Sequence, residues 1–231
     1  MYCYGIARTG AIGNLDLIPA GIREPLRWVI CGELSALIEM EFSVAQHAIA
    51  EADLLTAIVA HDRVLRSVFD VITVLPLRFG VEFSSEAALR QQLQHQTAPY
   101  LRQLTQLENK AEVTLTLTAI APPEVPIPAH LTGRDYFMAK KQQSQQQQNW
   151  QQECDQLRQQ AVTLLQQWGI QVKQKGEAES ESYFLLYDRS LPLDTYCQQW
   201  QKQLLQLTGG QWNYALGEPM PPYHFLDNSL F

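Results

Sequence analysis

The chain has 231 residues and a formal net charge of −7, and 46% of its residues are hydrophobic. This length suits one large domain or two small ones, and the apolar content is enough for a packed core. The acidic charge argues against nucleic acid or an anionic membrane as the main partner, because phosphate groups are bound by basic patches. No stretch approaches the roughly 18 apolar residues of a membrane-spanning helix. We therefore expect a soluble protein.

The first half of the sequence alternates predicted strands and helices. Short apolar or alternating runs predict strands at Tyr2–Ala7, Leu26–Cys31, Leu34–Met40, Val71–Leu75 and Val113–Ala119. Helical spacing predicts one helix from about Val44 to Phe69 and a second that starts near Ser84 and kinks or splits at Pro99. Two helices against a mainly antiparallel sheet indicate a ferredoxin-like α/β sandwich over residues 1–121. Residues 122–130 contain four prolines and predict a stiff linker.

The second half predicts a smaller α+β domain over residues 131–216, a modified copy of the first topology. It begins with a long helix, about Gly133 to Trp168, which is rich in glutamine and is capped by Gly169. Strands at Ile170–Lys173 and Tyr183–Tyr187, a helix from about Pro192 and a strand at Gln211–Leu216 follow. The tail, residues 217–231, is rich in proline and aromatic residues, so we expect it to dock on the protein or on a partner.

No catalytic or cofactor-binding pattern stands out in the residues. His61 and Asp62 are adjacent, but neighbours on a helix point about 100° apart, and Asp62 is instead spaced for an ion pair with Arg66. His61 lies on the apolar face of its helix and is predicted to be a core or boundary histidine. The other histidines are isolated, the cysteines form no C-x-x-C pair, and no phosphate-binding glycine loop is present. We predict no metal and no cofactor. Scattered cysteines without a signal peptide indicate reduced thiols in a cytoplasm.

Two features of the first half allow more than one interpretation. Arg78 is the one charge between the apolar Leu77 and Phe79, and is interpreted as a structural arginine or as an interface arginine. Aromatic residues at Tyr2, Tyr4 and Trp28 could stack bases, but RNA-binding sheets carry a basic, aromatic strand, and this chain is acidic. We therefore reject nucleic acid as a partner.

Four segments, in order along the chain, resemble the gas vesicle accessory protein F/L family (GvpF/GvpL). They are Met1-Tyr2-Cys3-Tyr4-Gly5-Ile6, the stretch His61–Gly80 that ends in Pro-Leu-Arg-Phe-Gly, Gly133-Arg134-Asp135-Tyr136-Phe137-Met138-Ala139-Lys140-Lys141, and Pro221-Pro222-Tyr223-His224-Phe225. Their order and spacing match the family over nearly the whole chain, and the overall look and length favour the F branch.

The resemblance implies a non-enzymatic accessory or minor structural protein of gas vesicles. It would bind the small major shell protein (GvpA), prevent its aggregation and assist nucleation and assembly of the shell, located at the vesicle in the cytoplasm. Because the densest family pattern lies in the first domain, we expect partner binding near Tyr2, Tyr4, Leu77, Arg78 and Phe79. The alternatives are a small-molecule-binding regulatory module built on paired ferredoxin-like domains, and an enzyme whose site forms only in three dimensions.

Overall fold

The computed structural model describes residues 1–14, 19–23, 25–43, 51–120, 127–128, 132–174, 182–191, 198–199, 202–203, 205–206 and 212–227. The chain forms two compact units. The first comprises residues 1–112, 188–190 and 218–231, and the second comprises residues 113–187 and 191–217.

The elements follow one another in a mixed α and β order. The strands are β1 (Tyr2–Arg8), β2 (Arg27–Cys31), β3 (Leu34–Glu39), β4 (Val74–Pro76), β5 (Lys110–Ala119), β6 (Gln171–Gln174), β7 (Ser182–Asp188) and β8 (Trp212–Leu216). The α-helices are α1 (Glu51–Phe69), α2 (Glu86–His95), α3 (Thr97–Gln106) and α4 (Gly133–Gln167). Short 3₁₀ helices cover Thr9–Asn14 and Tyr223–Phe225.

The first unit contains a four-stranded antiparallel sheet in the order β2-β3-β1-β4, which is the strand order of a ferredoxin-like domain. The first six residues of β1 and all six of β3 are buried. Since successive side chains of a strand point to opposite faces, this burial means that both faces of the central strands are covered. Helices α1 and α3 both pack on β1 and β4. The predicted α+β fold is confirmed.

The fourth predicted strand is displaced along the sequence. The prediction was Val71–Leu75, whereas β4 begins at Val74, and Val71 is 53% exposed. The backbone amides of Val71 and Ile72 donate to the carbonyl oxygen of Val68, so the chain is still leaving α1 at these residues. A β-branched run therefore marked the strand correctly but placed its start too early.

The predicted break in the second helical region is confirmed. Helix α2 is capped by the Ser85 hydroxyl, which accepts a hydrogen bond from the Ala88 amide, and it ends at His95. Helix α3 starts at Thr97, so Pro99 falls in the first helical turn. Proline is tolerated there because the amides of the first turn have no intrahelical partner, whereas a continuous helix would clash with its ring.

The second unit contains another four-stranded sheet, in the order β6-β7-β5-β8. We predicted that the Val113–Ala119 strand would complete the first domain; this was wrong, since β5 lies between β7 and β8. Alternation along the strand showed one buried face but could not show which sheet that face belongs to. In chain order, β5 to β8 repeat the order of β1 to β4, so the second unit repeats the strand order of the first.

Helix α4 precedes β6 and packs through its C-terminal half. Its buried residues are Cys154, Ala161 and Leu165, and no residue before Cys154 in this fully described helix is buried. Gly169, predicted to cap it, has φ of +76° and supplies the left-handed backbone that ends the helix. Most of the linker at residues 122–130, residues 175–181 between β6 and β7, and most of the predicted helix from Pro192 lie outside the described residues. From Glu218 onward, the described part of the tail belongs to the first unit.

Candidate functional site

The turn Leu77–Gly80, which directly follows β4, contains three of the five residues predicted to bind a partner. Arg78 is exposed and Phe79 is partly exposed, whereas Leu77 is buried. Tyr2 and Tyr4 are buried completely. The expectation that Tyr2, Tyr4 and Leu77 touch a partner is therefore corrected, because a partner cannot reach them in this fold. Tyr2 and Tyr4 instead form hydrogen bonds that hold the turn on which Arg78 is exposed and Phe79 is partly exposed.

A buried histidine holds one end of this turn. His61 of α1 is only 3% exposed, and its Nε2 lies 3.0 Å from the carbonyl oxygen of Leu77. Because a carbonyl only accepts hydrogen bonds, Nε2 carries the proton and Nδ1 accepts from the Tyr2 hydroxyl at 2.7 Å. Burial lowers the pKa of His61 to about 4, so the ring is neutral at pH 7. The prediction of a core histidine is confirmed.

The other end of the turn is held by the same tyrosine. The Gly80 amide points at the Tyr2 hydroxyl at 3.4 Å, and Gly80 has φ of +94°, which favours glycine. On the backbone, the Leu77 amide donates to the Tyr4 carbonyl and the Cys3 amide donates to the Val81 carbonyl. The turn is therefore fixed to β1 on both sides, and its conformation depends on residues that solvent does not reach.

Aromatic rings fill the space behind the turn. The Tyr4 ring stacks on His61 with centroids 5.2 Å apart, and Phe79 meets His61 edge-on at 5.7 Å. Tyr2 contacts Phe42 in a T-shaped arrangement at 5.0 Å. Such aromatic pairs add about 0.5–1.5 kcal/mol each beyond the burial of their surface. The cluster makes the inner half of Phe79 part of the core while its outer half remains accessible.

A second buried network lies next to this cluster and was not predicted from the sequence. The completely buried carboxylate of Glu39 accepts a hydrogen bond from the Tyr4 hydroxyl at 2.5 Å and from the amides of Ile22 and Arg23 at 2.9 and 2.7 Å. Burial and the bond to Glu39 raise the pKa of the Tyr4 phenol. The carboxylate thus fixes the connection between β1 and β2. Glu39 stood at the end of an apolar strand, and nothing in its spacing pointed to these partners.

The buried side chains of this region hold an exposed turn in place. Both nitrogens of His61 are engaged in hydrogen bonds, and the ring is shielded from solvent. In the part of the chain that the structure describes, no three His, Cys, Asp or Glu side chains converge as ligands for a metal ion. Asp62 forms the expected ion pair with Arg66 at 2.6 Å.

Helix α1, which carries His61, also carries exposed apolar side chains. Leu55, Ile58 and Val59 are 61%, 39% and 67% exposed. Residues three or four apart share a helix face, so Ile58 lies one turn before His61, whose ring contacts Phe79. We call Leu55, Ile58, Val59, Arg78 and Phe79 the α1–turn surface. Only the structure shows that this part of the helix is accessible.

The comparisons with known proteins agree with one another. The family described as Gas vesicle synthesis protein GvpL/GvpF matches residues 1–227. The fold is similar to that of the gas vesicle protein GvpF from Anabaena sp. PCC7120, with 16% identity, a TM-score of 0.67 and coverage of 98% of this chain and 95% of that one.

It is equally similar to GvpF from Microcystis aeruginosa, with 16% identity, a TM-score of 0.67 and 97% coverage of each chain. None of the curated proteins matches the sequence. Among the described helices, none has the length and apolar character that crossing a membrane requires. Since the family match extends over almost all of the sequence, the chain belongs to the gas vesicle GvpL/GvpF family.

Proposed function

We propose that this protein binds the small major shell protein, GvpA, and assists nucleation and assembly of the gas vesicle, without catalysing a reaction. The observation that carries the proposal is the family match over residues 1–227, which gives the chain a role in gas vesicles. The protein acts in the cytoplasm, at the growing vesicle, together with other accessory proteins of the gas vesicle.

The physical need for such a protein lies in the shell subunit. A small subunit that forms a hollow shell exposes large apolar faces before it assembles, and exposed apolar patches of this kind aggregate. A binding protein that covers them keeps the subunit available for assembly. The exposed leucine, isoleucine and valine of α1 give this chain an apolar surface of its own to place against such a face.

We place the contact on the α1–turn surface. Its apolar part is carried by a helix and its charged part by a turn whose backbone is held by Tyr2 and His61. A surface held on rigid elements binds with less ordering of its own residues, and this raises affinity. Arg78 adds an exposed positive charge on the turn, which suits an acidic group of the shell protein.

The experiment is co-expression of the tagged protein with the shell protein, followed by purification on the tag. We expect the wild-type chain to carry soluble shell protein through the purification, while shell protein expressed without it is found in the insoluble fraction. If both proteins are soluble and folded but do not purify together, shell-protein binding is refuted. The regulatory-module alternative would then be tested by ligand-dependent thermal stabilisation.

Two substitutions and a matched control test the position of the surface. Val59→Glu and Arg78→Glu both change exposed residues, so we expect both variants to fold, which circular dichroism checks, and each to reduce the recovered shell protein roughly tenfold. Arg102 is an exposed arginine of α3, outside the α1–turn surface, and Arg102→Glu makes the same charge change. If all three variants recover as much shell protein as the wild type, the contact lies elsewhere on the protein.

A further inference from the structure

The segment Glu218–Asp227, which includes the 3₁₀ turn Tyr223–Phe225, belongs to the first unit and is bound there through its backbone. The Glu112 amide donates to the Met220 carbonyl at 3.0 Å, and the Met220 amide donates back to the Glu112 carbonyl at 2.8 Å. This reciprocal pair forms one antiparallel bridge, the same backbone pairing that a strand uses to bind a peptide. The tail follows the last strand in the chain, so none of β1 to β8 includes it.

Two polar side chains bind the tail backbone farther along. The completely buried carboxylate of Glu112 accepts from the His224 amide at 2.9 Å and lies 2.5 Å from His224 Nδ1. The side-chain amide of Gln103 is also buried, with the residue 7% exposed. Its Nε2 donates to the Phe225 carbonyl at 3.1 Å, and its Oε1 accepts from the Asp227 backbone amide at 2.9 Å. Buried polar groups that lose their partners are costly, so this groove favours being filled.

Apolar side chains of the tail supply the remaining contact. Pro221, Pro222, Phe225 and Leu226 are all buried. Burial also raises the pKa of the Tyr223 phenol. Backbone hydrogen bonds at several positions combined with buried side-chain anchors are the two components of specific peptide recognition.

We propose that this groove, formed around Gln103 and Glu112, is a peptide-binding site that accepts the tail of a second copy of the chain as well as its own. Every hydrogen bond named above joins the tail to residues 103 or 112, so a tail from another molecule makes the same hydrogen bonds. In the wild-type chain the attached tail is present at a high effective concentration and keeps the groove filled. Weakening a chain's own tail opens the groove to another copy, which links two molecules by exchange of an identical segment.

Two full-length variants with complementary defects test this exchange. Phe225→Ala weakens the tail and leaves the groove intact, whereas Gln103→Ala weakens the groove and leaves the tail intact. When the two variants are mixed with different tags, the intact tail of one fits the intact groove of the other. We expect recovery of the mixed pair on one tag to exceed that of two wild-type copies roughly tenfold or more.

A labelled peptide with the sequence Glu218–Asp227 gives an independent measurement. We expect it to bind the Phe225→Ala chain roughly tenfold more tightly than the wild type, and to lose this gain when Gln103→Ala is added. The same peptide carrying Phe225→Ala should bind poorly to all chains. Circular dichroism checks that each variant is folded. If Phe225→Ala is not folded, Phe225→Leu replaces it, and if Gln103→Ala is not folded, Gln103→Asn replaces it. Equal peptide affinity for wild type and tail-weakened chain, or no mixed pair, would overturn the proposal.

Discussion

The two sheets of this protein share a strand order but are covered to different extents. In the first unit, β1 and β3 are buried along nearly their whole length, and buried polar networks join strands to turns. In the second unit, three of the four residues of β6 are exposed, and α4 has no buried residue before Cys154. The same topology thus supports a closely packed unit that positions a surface and a more open unit that displays a long helix.

Glycine substitutions provide the largest expected contrast between the units. A Cβ atom at Gly5 in β1 would lie 2.8 Å from Val74 Cγ2 and 2.9 Å from the Leu75 carbonyl oxygen, so backbone would have to move. At Gly217 in the second unit the nearest atom would be the Thr114 carbonyl oxygen at 3.5 Å, an ordinary contact. We expect Gly5→Ala to lower the free energy of unfolding by about 3 kcal/mol and Gly217→Ala by less than about 0.5 kcal/mol.

Urea unfolding of both variants measures these two free energies. Equal, small losses would show that β1 is not packed as closely as its burial indicates, and the contrast between the two units would fail. A large loss of unfolding free energy in Gly217→Ala alone would show that the second unit is the more closely packed one.

His61 gives the first unit a dependence of stability on pH. Its pKa is lowered by burial from 6.5 to about 4, so below pH 6.5 the unfolded chain binds a proton that the folded chain does not. Stability from this residue is therefore complete above pH 6.5 and is lost as the pH falls towards 4, by up to about 3 kcal/mol. Unfolding free energies measured from pH 7 to pH 4 report the loss.

Replacing the ring isolates the contribution of His61. His61→Gln keeps an amide that can donate to the Leu77 carbonyl and does not titrate, so we expect a shallower loss of stability between pH 6.5 and 4. The exposed His95 of α2 is the control, and His95→Gln should leave the pH profile as in the wild type. The account of His61 fails if both variants show the wild-type profile.

The smallest effect is expected at the start of α4. Phe137 is 72% exposed, so Phe137→Ser removes little buried surface, and we expect the free energy of unfolding to change by less than about 0.5 kcal/mol. A loss above about 2 kcal/mol in urea unfolding would be typical of a buried aromatic residue, and the second unit would then be as closely packed as the first.

Most of the elements could be predicted from the sequence because local patterns determine them. Apolar alternation located β5, and Ser85, Pro99 and Gly169 marked helix boundaries through their own backbone chemistry. Sheet membership could not be predicted in the same way. Whether β5 pairs with β1 or with β7 depends on contacts between distant residues, and a period of two shows a buried face without showing its neighbour.

The position of the candidate site stays a prediction, and its internal contacts could not be predicted from the sequence. The family pattern indicated the region of the Leu77–Gly80 turn, but Tyr2 and Tyr4 are buried supports of that turn. Sequence spacing gives no information on which tyrosine hydroxyl meets His61 or Glu39, because 59 and 35 residues separate these pairs. The same limit hid Gln103, whose partners lie at the other end of the chain.

The measurement that tests the central claim most directly is aggregation of the purified shell protein, followed by light scattering as it is diluted from denaturant. We expect scattering to fall as wild-type protein is added and to level off at a fixed ratio, with Arg102→Glu acting like the wild type and Val59→Glu acting weakly. Scattering that is unchanged by a large excess of folded protein would contradict the proposal that this chain covers the apolar faces of the shell subunit.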